Sequence, residues 1–311
     1  MWGVGVLPPT RARAARRVHQ PVHPYSGQQT PLAAVCAQSN FRFRCYRNPK
    51  VQINKTDAND ALGLAQIVRT GWHREVAVKG MDAHALRLLL VARSQLVSQR
   101  QAVANTVRGL LKAFGLRVLP GAGRPFAHRV RAAAEGNDAL LAIAEPMLLA
   151  WQALREQVAV LHRRLLARAK ADEAAKRLMT VPGVGVVVSL ACTAVIDDPA
   201  RFKRSSVVGA YLGLTPRRQQ SSETDRTGRI SKCCDGLFRA YLFEAATVLL
   251  TRHPKSYTLK EWGLALARRS GLRRAKVAVA RKLAVVMHSI WKSGEGFRWP
   301  GPAAAPVAAA A

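Results

Sequence analysis

The feature that most constrains the fold is a run of apolar residues separated by alternate steps of four and three. The run comprises Met147, Trp151, Leu154, Val158, Leu161 and Leu165, with Arg155, Arg163 and Arg164 outside it. This spacing places its members along one seam of a long α-helix, which is typical of a coiled coil. The pattern therefore predicts a long helix that covers its apolar seam with another helix.

An earlier apolar pattern supplies a candidate for that second helix. It has a mostly heptad-like spacing, interrupted by Arg93 and Arg100, over Leu86, Leu89, Leu96, Val103, Val107, Leu110 and Phe114. A segment rich in glycine and proline, residues 119–125, then ends the pattern. We expect a coiled-coil helical hairpin that mediates self-association or spaces two domains. An intramolecular helix pair without a partner fits equally well.

Further helices are predicted towards the carboxy terminus. One covers residues 206–214, with Ser205 or Ser206 as its cap, and another covers 232–250. A third, residues 276–291, ends at Gly294 and contains His288, which we interpret as a packing residue. Its apolar face consists of Val277, Ala280, Leu283, Met287 and Ile290, with Lys276, Arg281 and Lys282 exposed. The predicted fold class is mainly α.

The net charge restricts the class of partner. The 311 residues include 49 lysines and arginines against 18 aspartates and glutamates, giving a formal net charge of +31 and a pI near 11.4. A charge of this size favours a polyanion, and its spread along the chain favours nucleic acid over a membrane surface. No apolar run approaches the roughly 20 residues of a membrane-spanning helix. We therefore expect a nucleic-acid partner and no membrane partner.

Cysteine usage indicates a reducing compartment. The five cysteines, Cys36, Cys45, Cys192, Cys233 and Cys234, show no Cys-x-x-Cys spacing. Neither a zinc site nor a disulfide framework is predicted from them.

Residues 213–232 combine hydroxyl and guanidinium groups between two apolar runs, and we predict a loop-like phosphate-handling site there. Arg217 and Arg218 can bind phosphate oxygens bidentately. Ser221 or Ser222 offers a hydroxyl that can attack a phosphodiester. A basic surface loop without chemistry fits these residues equally well.

Asp57 and Asp60 are three positions apart at the start of a predicted helix. Two carboxylates on one face of a first turn can together bind a divalent cation, as in metal-dependent nucleases. The same residues, with Thr56, are also typical of a capped helix start, and taken alone they favour capping.

Residues 181–185 resemble the turn of a helix-hairpin-helix motif. Gly183 and Gly185 would let backbone amides approach a phosphate at the amino-terminal end of the following helix. A tight structural turn between packed helices is the alternative, and the short glycine pattern alone favours that alternative.

The amino-terminal segment differs in composition from the rest of the chain. Residues 1–56 contain no aspartate or glutamate and no persistent apolar period. The segment lacks the sustained amphipathic helix of a mitochondrial targeting sequence and the apolar core of a secretory signal. We interpret residues 1–50 as a disordered or out-of-frame leader, and residues 298–311 as a disordered tail.

Four motifs, at residues 55–61, 181–185, 209–218 and 228–232, resemble a known family in sequence and order. Together they are similar to the insertion-sequence transposases of the one-ten family, eleven-eleven subgroup. The resemblance extends from about residue 51 to residue 297. It implies a RuvC-like nuclease domain with a DEDD carboxylate set, a coiled-coil connector and a helical carboxy-terminal domain that carries a nucleophilic serine.

The resemblance also implies roles for particular residues. By motif position Ser221 is the nucleophile, with Ser222 as runner-up, and Asp57 and Asp60 are the last two carboxylates of a set that binds Mg²⁺. The implied partners are DNA, a structured guide RNA and further copies of the chain joined through the coiled coil. The implied location is the bacterial cytoplasm, at the nucleoid. The expected nucleic-acid contacts are Gly183, Gly185, Arg217, Arg218 and Lys232.

Two departures from the family alter these expectations. The first Asp and the Glu of a DEDD set belong ahead of Asp57, where this chain has no acidic residue. Cys234 stands where relatives usually have glycine. We therefore expect a truncated or frameshifted copy whose strand transfer is impaired. The alternatives are a non-catalytic nucleic-acid-binding remnant and a junction-resolving metal nuclease.

The expected domain organisation follows from these motifs. After the leader, residues 51–80 are a partial RuvC-like α/β remnant and residues 81–178 are the coiled-coil connector. Residues 179–297 form the carboxy-terminal transposase domain with its helix-hairpin-helix-like turn.

Overall fold

The computed structural model describes residues 56–71, 78–119, 121, 123, 125–221, 223–254 and 257–297. The predicted leader and tail, residues 1–50 and 298–311, lie outside them. The chain divides into two compact units, Met1–Val78 and Lys79–Ala311. Over the described residues the structure has ten α-helices, one short 3₁₀ helix and a single pair of strands, which confirms the mainly α fold class. No helix in that part of the chain is both long and apolar enough to cross a membrane.

Helix α1 (Asp57–Thr70) belongs to the first unit. Thr56 is its cap, because the Thr56 hydroxyl accepts a hydrogen bond from the Asn59 amide at 3.2 Å. Asp57 and Asp60 lie in the first turn, where the positive amino-terminal end of the helix dipole stabilises negative charge. Gly71 ends the helix with a φ of 64°. The strands of the predicted RuvC-like remnant would fall outside the described residues.

The second unit begins with a helical arm, formed by α2 (Met81–Ala113), α3 (Phe126–Ala133) and α4 (Asp138–Ala171). Helices α2 and α4 run in opposite directions, because Leu86 near the start of α2 shares a buried cluster with Leu165 near the end of α4. A second cluster fills the far end of the arm, with Ala104, Val107, Leu111, Phe126, Val130, Ala134, Leu140, Ala144, Leu148 and Trp151.

The predicted seam of α4 is confirmed at Trp151, Val158 and Leu165, which are all buried. In α2 the register shifts by one position in two places, since Leu90 and Leu111 are buried whereas Leu89 and Leu110 are only half-buried. A straight helix drifts against a seven-residue repeat, which explains such shifts.

The heptad-like pattern predicts Phe114 on the α2 seam, but the structure leaves Phe114 58% exposed. Helix α3 folds over this end of the arm, and its Phe126 packs on Trp151 with ring centroids 5.2 Å apart. The space expected for Phe114 is therefore occupied by an aromatic ring from a neighbouring helix.

The remaining helices form a compact bundle around the last of them. They are α5 (Glu173–Leu178), α6 (Val186–Ile196), α7 (Ser206–Tyr211), α8 (Gly236–Thr251), α9 (Thr258–Ser270) and α10 (Leu272–Ser293). Helix α10 packs against α5, α7, α8 and α9, and α6 packs against α2, α4, α5 and α8. The base of the helical arm therefore shares one hydrophobic core with the bundle.

Helix α10 matches its sequence prediction closely. Ala280, Leu283, Met287 and Ile290 are buried, and Gly294 ends the helix with a φ of 75°. Val277 is only half-buried and packs at the edge of the core.

His288 and Ser205 interact with each other. A hydrogen bond of 2.9 Å joins Ser205 Oγ to His288 Nδ1, and His288 Nε2 lies 3.0 Å from the Pro199 carbonyl oxygen. Burial lowers the pKa of His288, which packs against Phe202 as predicted for a core residue. Ser205 occupies the cap position of α7, but its side chain makes no capping bond, so the prediction of a serine hydroxyl cap from Ser205 is wrong.

The segment predicted as a loop is instead a β-hairpin. Strands β1 (Pro216–Ser221) and β2 (Thr224–Ile230) pair antiparallel between α7 and α8. Every residue of β1 is exposed, as is every residue of β2 except the half-buried Ile230. Polar residues can form paired strands, but in this segment they give the β-hairpin no apolar face.

Residues 181–185 form a tight turn between α5 and α6. Gly183 has a φ of 80°, and a Cβ at this position would lie 2.6 Å from the carbonyl oxygen of Ala245 in α8. Gly185 is exposed at the cap of α6, and no atom lies within 4 Å of the Cβ position there. Gly183 therefore permits close packing against α8, whereas Gly185 faces no neighbouring atom.

We predict that Gly183→Ala destabilises the protein by about 2 to 4 kcal/mol, because it combines a left-handed backbone with a clash against fixed backbone atoms. The matched variant Gly185→Ala should cost less than about 1 kcal/mol, as expected for an exposed helix cap. Urea unfolding of both variants measures the difference. Equal loss in the two variants would contradict the packing role of Gly183.

Candidate active site

The β-hairpin is attached to the bundle by a close backbone crossing at its root, which we define as residues 212–215 and 231–235. Gly213 has a φ of 66°, and a Cβ there would lie 2.3 Å from the amide nitrogen of Cys233. The Lys232 amide donates to the Gly213 carbonyl at 3.1 Å, and the Ser231 amide donates to the Thr215 carbonyl at 2.9 Å. Only glycine fits at position 213, so the entry and exit of the β-hairpin are held side by side.

Arg239 of α8 binds both sides of this root. Its Nη1 donates to the Leu212 carbonyl at 3.2 Å and also to the Cys233 carbonyl. Burial lowers the pKa of the Arg239 guanidinium. One side chain from the bundle therefore links the chain before β1 to the chain after β2.

Asp235 links the root to the helical arm. Its Oδ1 accepts a hydrogen bond from the Phe238 amide at 2.8 Å, which caps α8, and its carboxylate forms an ion pair with Arg87 of α2. Asp235 is 6% exposed but the Arg87 side chain is 41% exposed, so this ion pair joins the two elements at the edge of the core.

Cys234 also belongs to the root. Its φ is 60°, in the left-handed region that glycine adopts at low cost, so the backbone at this position suits glycine better than cysteine. Burial raises the pKa of the Cys234 thiol, which lies close to Tyr211, Lys79 and Arg239.

The strand register sorts the β-hairpin side chains onto two faces. Gln219 pairs with Arg226 and Ser221 pairs with Thr224, so these four residues share one face, which we call the serine face. Arg218 pairs with Thr227 and Gln220 pairs with Asp225, so these four share the opposite face. Ser222 lies outside the described residues.

Arg218 is engaged on that opposite face. Its Nε donates to Asp225 Oδ1 at 2.8 Å and its Nη2 donates to Asp225 Oδ2 at 2.6 Å, a bidentate ion pair. The hydrogen bonds from Arg218 hold the pKa of Asp225 below its usual value, and those to Asp225 raise the pKa of Arg218. Arg218 and Ser221, which the sequence places together, point to different sides of the β-hairpin.

The other predicted contacts lie at the root and elsewhere in the bundle. Arg217 Nη2 donates to the Ser231 carbonyl at 3.1 Å, next to a register irregularity between Pro216 and Arg218. Lys232 is exposed at the root with a φ of 56°. Gly183 and Gly185 lie in the turn between α5 and α6, which is separate in sequence from the β-hairpin.

Arg226 is a further arginine of the β-hairpin that the sequence motifs do not single out. It lies on the serine face, one pair away from Ser221, and it is exposed. No sequence pattern distinguishes Arg226 from its polar neighbours, because its place on the serine face depends on the strand register. The loop predicted for this segment would not place alternate residues on one face.

Asp57 and Asp60 belong to the first unit and are both exposed in the first turn of α1. Over the residues that the structure describes, no group of three or more histidine, cysteine, aspartate or glutamate side chains could together bind a metal ion.

We predict that the Arg218 ion pair persists at neutral pH and is lost as the pH falls through the lowered pKa of Asp225. In Arg218→Ala, the pKa of Asp225 should rise towards the ordinary aspartate value of about 3.9. In Arg226→Ala it should not move, because Arg226 lies on the other face. A ¹³C NMR titration of the Asp225 carboxyl group measures this, and an unchanged midpoint in Arg218→Ala would refute the ion pair.

Two family models match this chain. Residues 175–261, which include the β-hairpin, match the model described as transposase of the IS116/IS110/IS902 family. Residues 13–115 match the IS110-type DEDD model, described as transposase. The second match begins well before residue 51, where the sequence resemblance began, and so includes most of the segment that has no acidic residue.

Several curated proteins are similar over most of the chain. The transposase for insertion sequence element IS1111A of Coxiella burnetii is 33% identical over 256 residues, covering 80% of this chain and 70% of that protein. A transposase of Sinorhizobium fredii is 32% identical, covering 80% and 66%, and the transposase for element IS1328 of Yersinia enterocolitica is 26% identical, covering 80% and 75%. The chain thus spans about two thirds to three quarters of the length of these relatives. On these matches the chain belongs to the IS110 family of insertion-sequence transposases.

Proposed function

We propose that this chain cleaves and rejoins DNA strands of its insertion sequence through the hydroxyl of Ser221. The observation that carries the proposal is the exposed β-hairpin that ends β1 at Ser221 and is fixed to the bundle at Gly213 and Arg239. A nucleophile at the tip of a rigidly attached projection can reach a backbone phosphate that cannot enter a pocket.

The composition of the β-hairpin favours a nucleic-acid substrate. Residues 217–229 contain no hydrophobic side chain and include four arginines against one aspartate and one glutamate. An isolated two-stranded hairpin without an apolar face is only marginally stable in water. A polyanion that lies along it would supply the missing contacts.

The proposed step exchanges one phosphoester for another. Ser221 Oγ loses its proton and forms a bond to phosphorus, while the bond from phosphorus to one deoxyribose oxygen breaks and that oxygen takes up a proton. The resulting serine phosphoester retains the energy of the broken phosphoester bond. A DNA hydroxyl can therefore attack it in reverse and rejoin the strands without a nucleotide cofactor.

Membership of a DEDD transposase family suggests use of a divalent metal ion. We propose Asp57 and Asp60 as ligands for Mg²⁺, a cation that prefers carboxylate oxygens and that lowers the pKa of a hydroxyl or water bound to it. With Asp57 and Asp60 as ligands, the site would have two of the four carboxylates of a DEDD set.

The family resemblance adds two partners to the proposal. A structured RNA of the element would direct the chain to its DNA, and copies of the chain would associate through the helical arm. The sequence suggests Gly183, Gly185, Arg217, Arg218 and Lys232 as nucleic-acid contacts. Of these we retain Gly183, Gly185, Arg217 and Lys232, because the Arg218 guanidinium is bound to Asp225. The large positive charge of the chain supports RNA and DNA equally.

One observation favours a second function. The matched DEDD region starts at residue 13, yet no aspartate or glutamate precedes Asp57. A chain with half of its carboxylates binds nucleic acid through its arginines and lysines but transfers strands poorly. The second candidate is therefore a non-catalytic binding remnant of a transposase.

We predict that Ser221→Ala abolishes a covalent adduct with DNA and leaves DNA binding unchanged, because one hydroxyl is lost while every cation remains. The measurement is an SDS-resistant band with end-labelled DNA that carries the ends of the element, in the presence of RNA transcribed from the element. Ser222→Ala is the matched control and should retain the adduct.

The outcomes separate the two functions. Loss of the adduct in Ser222→Ala but not in Ser221→Ala would transfer the role to the neighbouring serine. Tight binding by all three proteins without an adduct in any of them would favour the binding remnant.

A further inference from the structure

We infer that Arg226 binds the phosphate that Ser221 attacks, and that Arg218 does not. This inference rests on the proposed function and names the cation of that same site. From the sequence, Arg217 and Arg218 are the expected phosphate-binding arginines, because they stand close to Ser221 along the chain. The inference assigns the phosphate to Arg226 instead.

Strand register provides the first argument. Ser221 faces Thr224 across the β-hairpin, and Arg226 lies two residues further along β2 on the same face. Such diagonal neighbours are about 7 to 8 Å apart at their backbones, which is within reach of a long side chain. A phosphate above Ser221 therefore lies within range of the Arg226 guanidinium.

Charge provides the second argument. The guanidinium of Arg218 already donates two hydrogen bonds to Asp225, both below 3 Å, so its positive charge is compensated on its own face. Among the described residues no carboxylate forms an ion pair with Arg226. Its fork of donors is thus available to a planar or tetrahedral anion.

The surroundings of the serine face are consistent with this assignment. Gln219 and Thr224 add neutral donors, and the acidic neighbours are Asp225, which points to the other face, and Glu223, which lies in the turn. Arg217 donates to the Ser231 carbonyl at the root, towards the far end of β1 from Ser221. Arg226 is accordingly the cation best placed to meet a phosphate at the tip.

The chemistry requires such a group. When Ser221 Oγ bonds to phosphorus, negative charge accumulates on the two non-bridging oxygens until the bond to the leaving deoxyribose oxygen breaks. A guanidinium that donates to both oxygens stabilises that charge, and removal of one such donor from a preorganised site typically lowers the rate by about 10² to 10³.

The experiment compares Arg226→Ala with Arg218→Ala, which removes the same side chain from the other face of the same strands. With saturating protein and a single turnover, adduct formation should slow by about 10² in Arg226→Ala and by less than about 3-fold in Arg218→Ala. Arg226→Lys should recover part of the rate, because it restores the charge but not the fork. Circular dichroism and thermal unfolding check that each variant is folded.

A charge-neutral substrate distinguishes phosphate binding from a merely structural effect. With a methylphosphonate at the cleaved position, one non-bridging oxygen and its charge are absent, so the difference between wild type and Arg226→Ala should shrink to less than about 3-fold. A structural defect would persist on this substrate, and its persistence would overturn the inference.

Failure of the inference is distinguishable from failure of the proposed function. If Ser221→Ala abolishes the adduct while Arg226→Ala is no slower than Arg218→Ala, the serine chemistry stands and Arg226 has no role in it. If Ser221→Ala retains the adduct, the proposed function fails.

If the wild-type chain forms no adduct, binding of a fluorescent oligodeoxythymidine decides the role of Arg226. Loss of one phosphate contact should reduce the slope of log Kd against log salt by about one in Arg226→Ala but not in Arg218→Ala. Equal slopes in the two variants would overturn the inference.

Discussion

The backbone crossing between Gly213 and Cys233 allows an exposed, polar β-hairpin to project from a helical bundle in a defined direction. The two strands have no hydrophobic face of their own, and Ile230 at the root end of β2 is their contribution to the core, so packing holds them little. Hydrogen bonds at the root replace it, with Arg239 joining the chain before β1 to the chain after β2. Through Asp235 and Arg87 the same root is tied to the helical arm.

The residues that stabilise the fold are separate from the residues of the proposed site. The apolar residues of the bundle and of the arm base form one continuous core, which fixes α8 and hence the root. The β-hairpin contributes almost nothing to that core, so its side chains are free to differ between its two faces. One face carries the Arg218 and Asp225 ion pair, and the other carries Ser221 with Arg226. In the proposed function, this asymmetry gives the β-hairpin a single reactive face.

Sequence reasoning succeeded where a single periodicity decides the structure. The long helices, the buried seam of Trp151, Val158 and Leu165 and the end of α10 at Gly294 all follow from local patterns. It failed at Phe114, whose place is taken by Phe126 from a helix that the pattern did not include. It also failed at β1 and β2, because a strand pair without apolar alternation has no distinctive sequence signal.

By itself the sequence determined the mainly α architecture, the family and the serine motif, since these depend on periodicity and on short runs of residues in order. Only the tertiary structure decided that Gly183 faces α8, that Gly213 must cross Cys233 and that Arg218 and Ser221 lie on opposite faces. The physical reason is that these facts depend on pairings between distant or facing segments. Which partner a residue meets is set by strand register and helix packing, and neither is encoded in its immediate neighbours.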